Sequence, residues 1–137
     1  MGTIIQVVAD IQTMVDALTC VRNAPSYPPN ILPEGLTAVT YPVSGVIGAN
    51  SSGWMQELHS VNIDLVLPAK DLARDLTVLW PFLRSIPNGI MSDPDFGSNA
   101  STFNDISYQY IVFDEAGIQY RGYRFTISGI KIQPTLT

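Results

Sequence analysis

One stretch restricts the fold more than any other. Val61, Ile63, Leu65 and Leu67 alternate with Asn62, Asp64 and Val66, and Pro68 closes the run. Successive side chains of a strand point to opposite faces, so this alternation predicts a half-buried strand over residues 54–67 with one apolar side. That side requires a covering layer.

Two segments have the spacing to supply it. Ile4, Val7, Val8, Ile11, Met14, Val15, Leu18 and Val21 recur at steps of three and four, which predicts an amphipathic helix over residues 3–23. Leu72, Leu76, Leu79 and Leu83 repeat the pattern over residues 69–85. Pro81 should kink or restart this second helix, and Pro87, Asn88 and Gly89 should stop it. Between the first helix and the sheet, Pro25, Pro28, Pro29 and Pro33 predict an extended connector.

The β-branched residues Thr37, Val39, Thr40, Val43, Val46 and Ile47 predict a strand over residues 36–47, weakened by Pro42 and Gly45. A turn follows at 49–53. Residues 92–105 show no periodicity and read as a long loop, of the kind that is functional or mobile. Two closing strands, 106–114 and 118–133, are joined by Glu115, Ala116 and Gly117, with glycine available for positive φ. The order α-β-β-α-β-β predicts a single α+β domain, with two helices packed on one antiparallel or mixed sheet.

Length and composition limit the function. A chain of 137 residues has room for one core. Only 14% of residues are charged against 46% hydrophobic, and depletion of charge is what oligomer interfaces show. A net charge of −5 opposes binding to phosphate backbones. Cys20 is the only cysteine, so no intramolecular disulfide or thiolate metal cluster is expected. The first residues carry no secretory or lipidation pattern, and no window reaches the roughly 20 apolar residues of a membrane span; action in the compartment of synthesis is expected.

Catalytic and ligand motifs find little support. His59 is the only histidine, and with Glu57 it forms a fragment of a metal or acid–base site or, more simply, a hydrogen-bonded strand histidine. Gly48 and Gly53 have phosphate-loop spacing, but Trp54 and Met55 stand where Lys and Ser or Thr are required. Asp93, Asp95 and Gly97 begin like a calcium loop, yet Ser98 replaces its glycine and Asn104 its closing Glu. The Asn50–Ser52 and Asn99–Ser101 spacings match a glycosylation pattern without a secretory signal. No cofactor, metal or catalytic residue is expected.

Trp54, Gln56, Glu57, Leu58 and His59, followed by the alternating strand and by Leu67, Pro68 and Ala69, resemble a stretch of the tail terminator (tail completion) proteins of long-tailed bacteriophages such as phage lambda. The similarity covers residues 54–69 side chain by side chain, and the remainder in length and element order. The proline-rich connector and Pro81 depart from it. The resemblance implies a virion structural protein without catalysis. It would form a ring, a hexamer in this family, at the head-proximal end of the tail, stop the tube protein from polymerising, and present a surface to a head-completion or connector protein.

Candidate assembly contacts are Asn50, Ser51 and Ser52 in the first turn, and Asp93, Asp95 and Phe96 in the long loop. Arg74 and Arg84 on the second helix join them, with Tyr120 and Tyr123 on the closing hairpin, where Tyr108 and Tyr110 also crowd. The tyrosines suit either an interface or cross-strand pairing, and Lys70, Asp71, Arg74 and Asp75 either a solvated helix face or an intersubunit ion pair. At least one of the two loops is expected in an axial or intersubunit contact. Another connector or tube-like virion protein, or a small ligand- or peptide-binding α+β module with a pocket lined by residues 92–105, remains the alternative.

Overall fold

A computed structural model describes residues 3–16, 36–49, 55–115 and 117–132. Its elements are α1 (Ile4–Asp16), β1 (Thr37–Ala49), β2 (Met55–Pro68), α2 (Leu72–Leu79), α3 (Phe82–Met91), β3 (Asp105–Glu115) and β4 (Ile118–Ile132). The strands form one fully antiparallel sheet in the order β1-β2-β4-β3. An α+β fold with helices on an antiparallel sheet is therefore correct, with three described helices where two were expected. The far end of the first predicted helix, the connector over residues 24–35, the turn at 50–53 and the Trp54 end of the resemblance lie outside the described residues.

The alternating strand occupies the centre. Val61, Ile63 and Leu65 are fully buried and pair across to Ile127, Phe125 and Tyr123 of β4. Val7, Val8, Ile11 and Val15 of α1, Leu79 of α2, and Phe82, Ile86 and Ile90 of α3 close over this face in one core. Thr3 starts α1 with a reciprocal cap: its amide donates to Gln6 Oε1 at 2.8 Å, and the Gln6 amide donates to Thr3 Oγ1 at 3.4 Å. Gly122 is required where β4 crosses β2, because a Cβ there would collide with the Leu65 carbonyl.

Two irregularities bend the long strands. β1 carries an extra residue between Pro42 and Ser44, and the β2–β4 register shifts between His59 and Val61. Gly129, at φ +69°, provides the left-handed residue in β4 at the second shift. Pro42 is tolerated because β1 is an edge strand. Residues 42–48 of β1 are exposed, and past the bulge Gly45, Val46 and Ile47 pair with His59, Leu58 and Glu57 of β2, which pair in turn with the end of β4.

The helical segment breaks at Pro81, as its chemistry requires, but Pro87, Asn88 and Gly89 do not stop it: α3 continues to Met91. Proline inside a helix costs about 3 kcal/mol. Against this, Phe82, Ile86 and Ile90 lie four residues apart and are all buried, each contributing roughly 1.5–3 kcal/mol. Gly89 allows Met14 of α1 to pack directly on the helix backbone, where a Cβ would collide with the Met14 sulfur. Packing thus overrides the local stop signal.

Residues 92–105 are a string of hydrogen-bonded turns. The Ala100 amide donates to the Asp95 carbonyl at 3.0 Å, Ser101 to Lys131 at 2.8 Å, Lys131 to Thr102 at 2.9 Å and Asn104 to Ser128 at 2.8 Å. The segment is stitched to the end of β4 rather than projecting from the fold. Its tightest point places Phe96, Gly97 and Ser98 successively at φ +52°, +68° and +70°. Two non-glycine residues in that region are strained, and the burial of Phe96 at 1% exposure offsets the strain.

Truncating Leu65 to Ala should destabilise the protein by about 2–5 kcal/mol through lost transfer energy and a residual cavity. Denaturant unfolding of the full chain checks this, and an unchanged midpoint would mean that the site collapses around the smaller side chain.

Candidate functional site

The helix-covered side of the sheet ends in an aromatic platform where the helices stop short of edge strand β3. Tyr123 is its pivot. The Trp80 indole N–H, at the end of α2, donates to Tyr123 Oη at 3.3 Å. Tyr108 and Tyr110 of β3 meet the Tyr123 ring edge-to-face, each with centroids 5.8 Å apart, and Tyr108 also lies 6.2 Å from the Phe125 ring. Tyr123 is buried, while Trp80, Tyr108, Tyr110 and Val112 are 54%, 57%, 45% and 47% exposed. Exposed aromatics anchored by a buried one form a rigid amphipathic surface, the type enriched at protein contacts.

Opposite edge strand β1 presents a second apolar surface. Val43, Val46 and Ile47 are 52%, 70% and 60% exposed, and Leu58 of β2 lies beside them. No charged residue occurs in β1. Beside this edge, Glu57 Oε1 lies 2.7 Å from His59 Nε2. Gly45 leaves the space that the imidazole fills, since a Cβ there would stand 2.5 Å from Nδ1. The pair is a strand contact, and among the described residues no three His, Cys, Asp or Glu side chains converge as metal ligands.

Charged residues serve the scaffold at three points. Asp75 of α2 is fully buried. Its carboxylate accepts from the Lys70 amide at 2.9 Å and from Arg74 at 2.8 Å, and its Oδ2 lies 3.3 Å from Arg121 Nε of β4. Burial opposes ionisation of Asp75, yet the Lys70 amide and the two guanidinium groups hold it below the ordinary carboxylate range. On the sheet's other face, Arg124 grips Asp64 through two bonds of 2.8 and 3.1 Å, and Tyr41 donates its hydroxyl proton to Asp64 at 2.8 Å. Burial is the main cause that raises the Tyr41 hydroxyl, while the bond to Asp64 raises Arg124. The third point joins α1 to the long loop. Burial, then a hydrogen bond to Asp93 and the charges of Asp93 and Asp95, push Asp10 up to about 6. The Gly97 amide, which donates to Asp93 Oδ1 at 3.1 Å, lowers Asp93. A small hollow between Asp10, Met14, Gly89, Asp93 and Phe96 adjoins this pair, with Asp93 and Phe96 as the long loop's share of its lining.

The candidates named from sequence separate accordingly. Asn50, Ser51 and Ser52 lie outside the described residues. Arg74 and Arg84 are exposed, but Arg74 is paired to Asp75 of the same chain. Asp93 and Asp95 are half-buried. Phe96 is internal, which corrects its expected role as a surface contact. Tyr120 and Tyr123 are likewise internal at 2% and 9% exposure, on opposite faces of the sheet. Tyr120 stacks on Phe113 with centroids 5.6 Å apart. Their separation of three residues in a strand signals opposite faces, and Tyr108 and Tyr110, two apart, share one. Strand parity was the signal for the exposed pair. Trp80 carried none, because its exposure depends on where α2 ends.

No protein-family model matches the chain, and no curated protein matches it at a significant level.

Asp10 supplies a pH test. Its folded pKa is raised, so the neutral acid is favoured in the folded state. The resulting stability is full below the unfolded value of 3.8 and is lost as pH rises through about 6. Asp10→Asn, which keeps a donor beside Asp93, should therefore melt above the wild type at pH 7 and level with it near pH 4. A wild type that melts as high as the variant at pH 7 would show that the pair carries no such strain.

Proposed function

We propose that this chain is a virion structural protein of the tail-terminator type, which closes the tail tube of a long-tailed bacteriophage as a ring. In this reading copies assemble into a ring, of six by family resemblance, at the head-proximal end of the tail. The ring ends polymerisation of the tube protein and offers its other face to a head-completion or connector protein. It needs no cofactor and performs no catalysis.

The observation that carries the reading is the pair of open apolar edges on opposite sides of one sheet. Copies joined through two different surfaces close into rings when the rotation closes. A terminator must match the tube on one side and refuse it on the other, so its two axial faces have to differ. The sheet's two faces do differ: one carries the helices, and the other carries the Asp64–Arg124–Tyr41 cluster. The stretch Gln56, Glu57, Leu58, His59 that carries the resemblance lies at the start of β2, next to one of those edges. Of the long loop, residues 92, 94, 97, 98, 101, 102, 104 and 105 are exposed and accessible to an axial contact.

The aromatic platform beside a strand edge also suits an extended peptide, which favours a peptide-binding module as the second reading. Size in solution and electron microscopy of tail tubes separate the two. A terminator sediments as a closed ring and caps tubes at uniform length. A chain that stays monomeric at tens of micromolar and leaves tube length uncontrolled would overturn the proposal.

A further inference from the structure

Resting on the ring reading, we infer that neighbouring copies join head to tail by sheet continuation, the exposed arm of β1 in one copy pairing along the outer edge of β3 in the next. Among the described residues, both strands pair on one side only. Each therefore presents a row of backbone N–H and C=O groups to a further strand.

The strand directions decide the geometry. All three pairings within the sheet are antiparallel, so four strands alternate in direction from β1 to β3. An even number means that β1 and β3 run oppositely. A second copy brought alongside by rotation alone places its β1 antiparallel to the first copy's β3, with the helix-covered faces of both sheets on the same side. An identical chain continues the alternation without inversion. Joining β3 to β3 would instead require a two-fold axis, and would stop at a dimer.

The side chains agree with this partner. Edge strands that avoid pairing carry charges or prolines along their length. β1 has no charged residue, and its Pro42 precedes the exposed arm. The charges of β3 are confined to its ends, leaving Ile106 to Phe113 uncharged. By register, Ile47 faces the same side as Glu57 and His59, hence the helix-covered side, and Val46 faces the other. In the continued sheet Ile47 lies on the side of Tyr108 and Tyr110. Joining covers the large exposed hydrophobics of both edges at once, and makes the occupant of the aromatic platform a second copy.

Two blocking variants and their mixture test this. Ile47→Lys spoils the arm and leaves the β3 edge intact; Tyr110→Lys does the reverse, with Tyr108→Lys as a second edge variant. All three positions are exposed, and circular dichroism and melting of each confirm folding. Light scattering should show an assembled wild type, each variant alone shifted to monomer, and an equimolar mixture of Ile47→Lys and Tyr110→Lys forming a one-to-one dimer, since one good arm meets one good edge. Folded variants that assemble like the wild type would overturn this joining while leaving a ring built through other surfaces. Assembly of Ile47→Lys alone, or a mixture that stays monomeric, would also overturn it. A monomeric wild type would sink the ring reading and this inference together.

Discussion

The pairing of β2 with β4 is the contact on which the other elements depend. It places Ile63 against Phe125 and Leu65 against Tyr123, and so creates the apolar floor that the helices cover. The approach needs Gly122, whose lack of a Cβ leaves room for the Leu65 carbonyl. The same register sets Asp64 opposite Arg124 and Asn62 opposite Thr126 on the reverse face. A slip of one residue would bring charges into the core and apolar residues out of it. The bidentate Asp64–Arg124 pair and the 2.8 Å Thr126–Asn62 bond therefore act as a register key as much as a source of stability.

Helix α2 is tied to this central pair by a different means. Asp75, with no exposed surface, joins the Lys70 amide, Arg74 and Arg121 of β4. A buried charge with its partners in place stabilises little beyond a hydrophobic replacement, but loses several kcal/mol when a partner is removed. Its effect is to fix the position of α2, and with it the place of Trp80 above Tyr123. The aromatic platform follows from that placement.

Much of the fold was legible because its signals are local. Alternation marked β2, three-and-four spacing marked α1, and Gly117 marked the final hairpin, where it adopts φ +80°. What could not be read depends on contacts between distant segments. Pro87 signals a stop until Ile90 is seen to be buried in the common core. Residues 92–100 lack periodicity because they form successive local turns, and residues 101–104 because their hydrogen bonds run to Lys131 and Ser128 of another strand. The site was legible in kind, as apolar and tyrosine-rich, but only partly in place. Tyr120 and Tyr123 were named where Tyr108, Tyr110 and Trp80 are the exposed groups, because which tyrosines face outward is decided by the strand's edge position.

The separation of the two central strands along the chain bears on how the protein is made. Asp64 and Arg124 are 60 residues apart, so β2 cannot obtain its inner partner until residues 118–132 have been synthesised. Until then β1 and β2 have only each other as strand partners, with only the helices to cover them, and a two-stranded sheet is marginal in water. Its uncharged, β-branched arm is then open to any other nascent chain, and pairing across such distances is slow. An uncharged edge of this kind is an aggregation hazard during translation. Prompt arrival of β4, and dilution or chaperone cover before it arrives, govern how much chain reaches the native sheet.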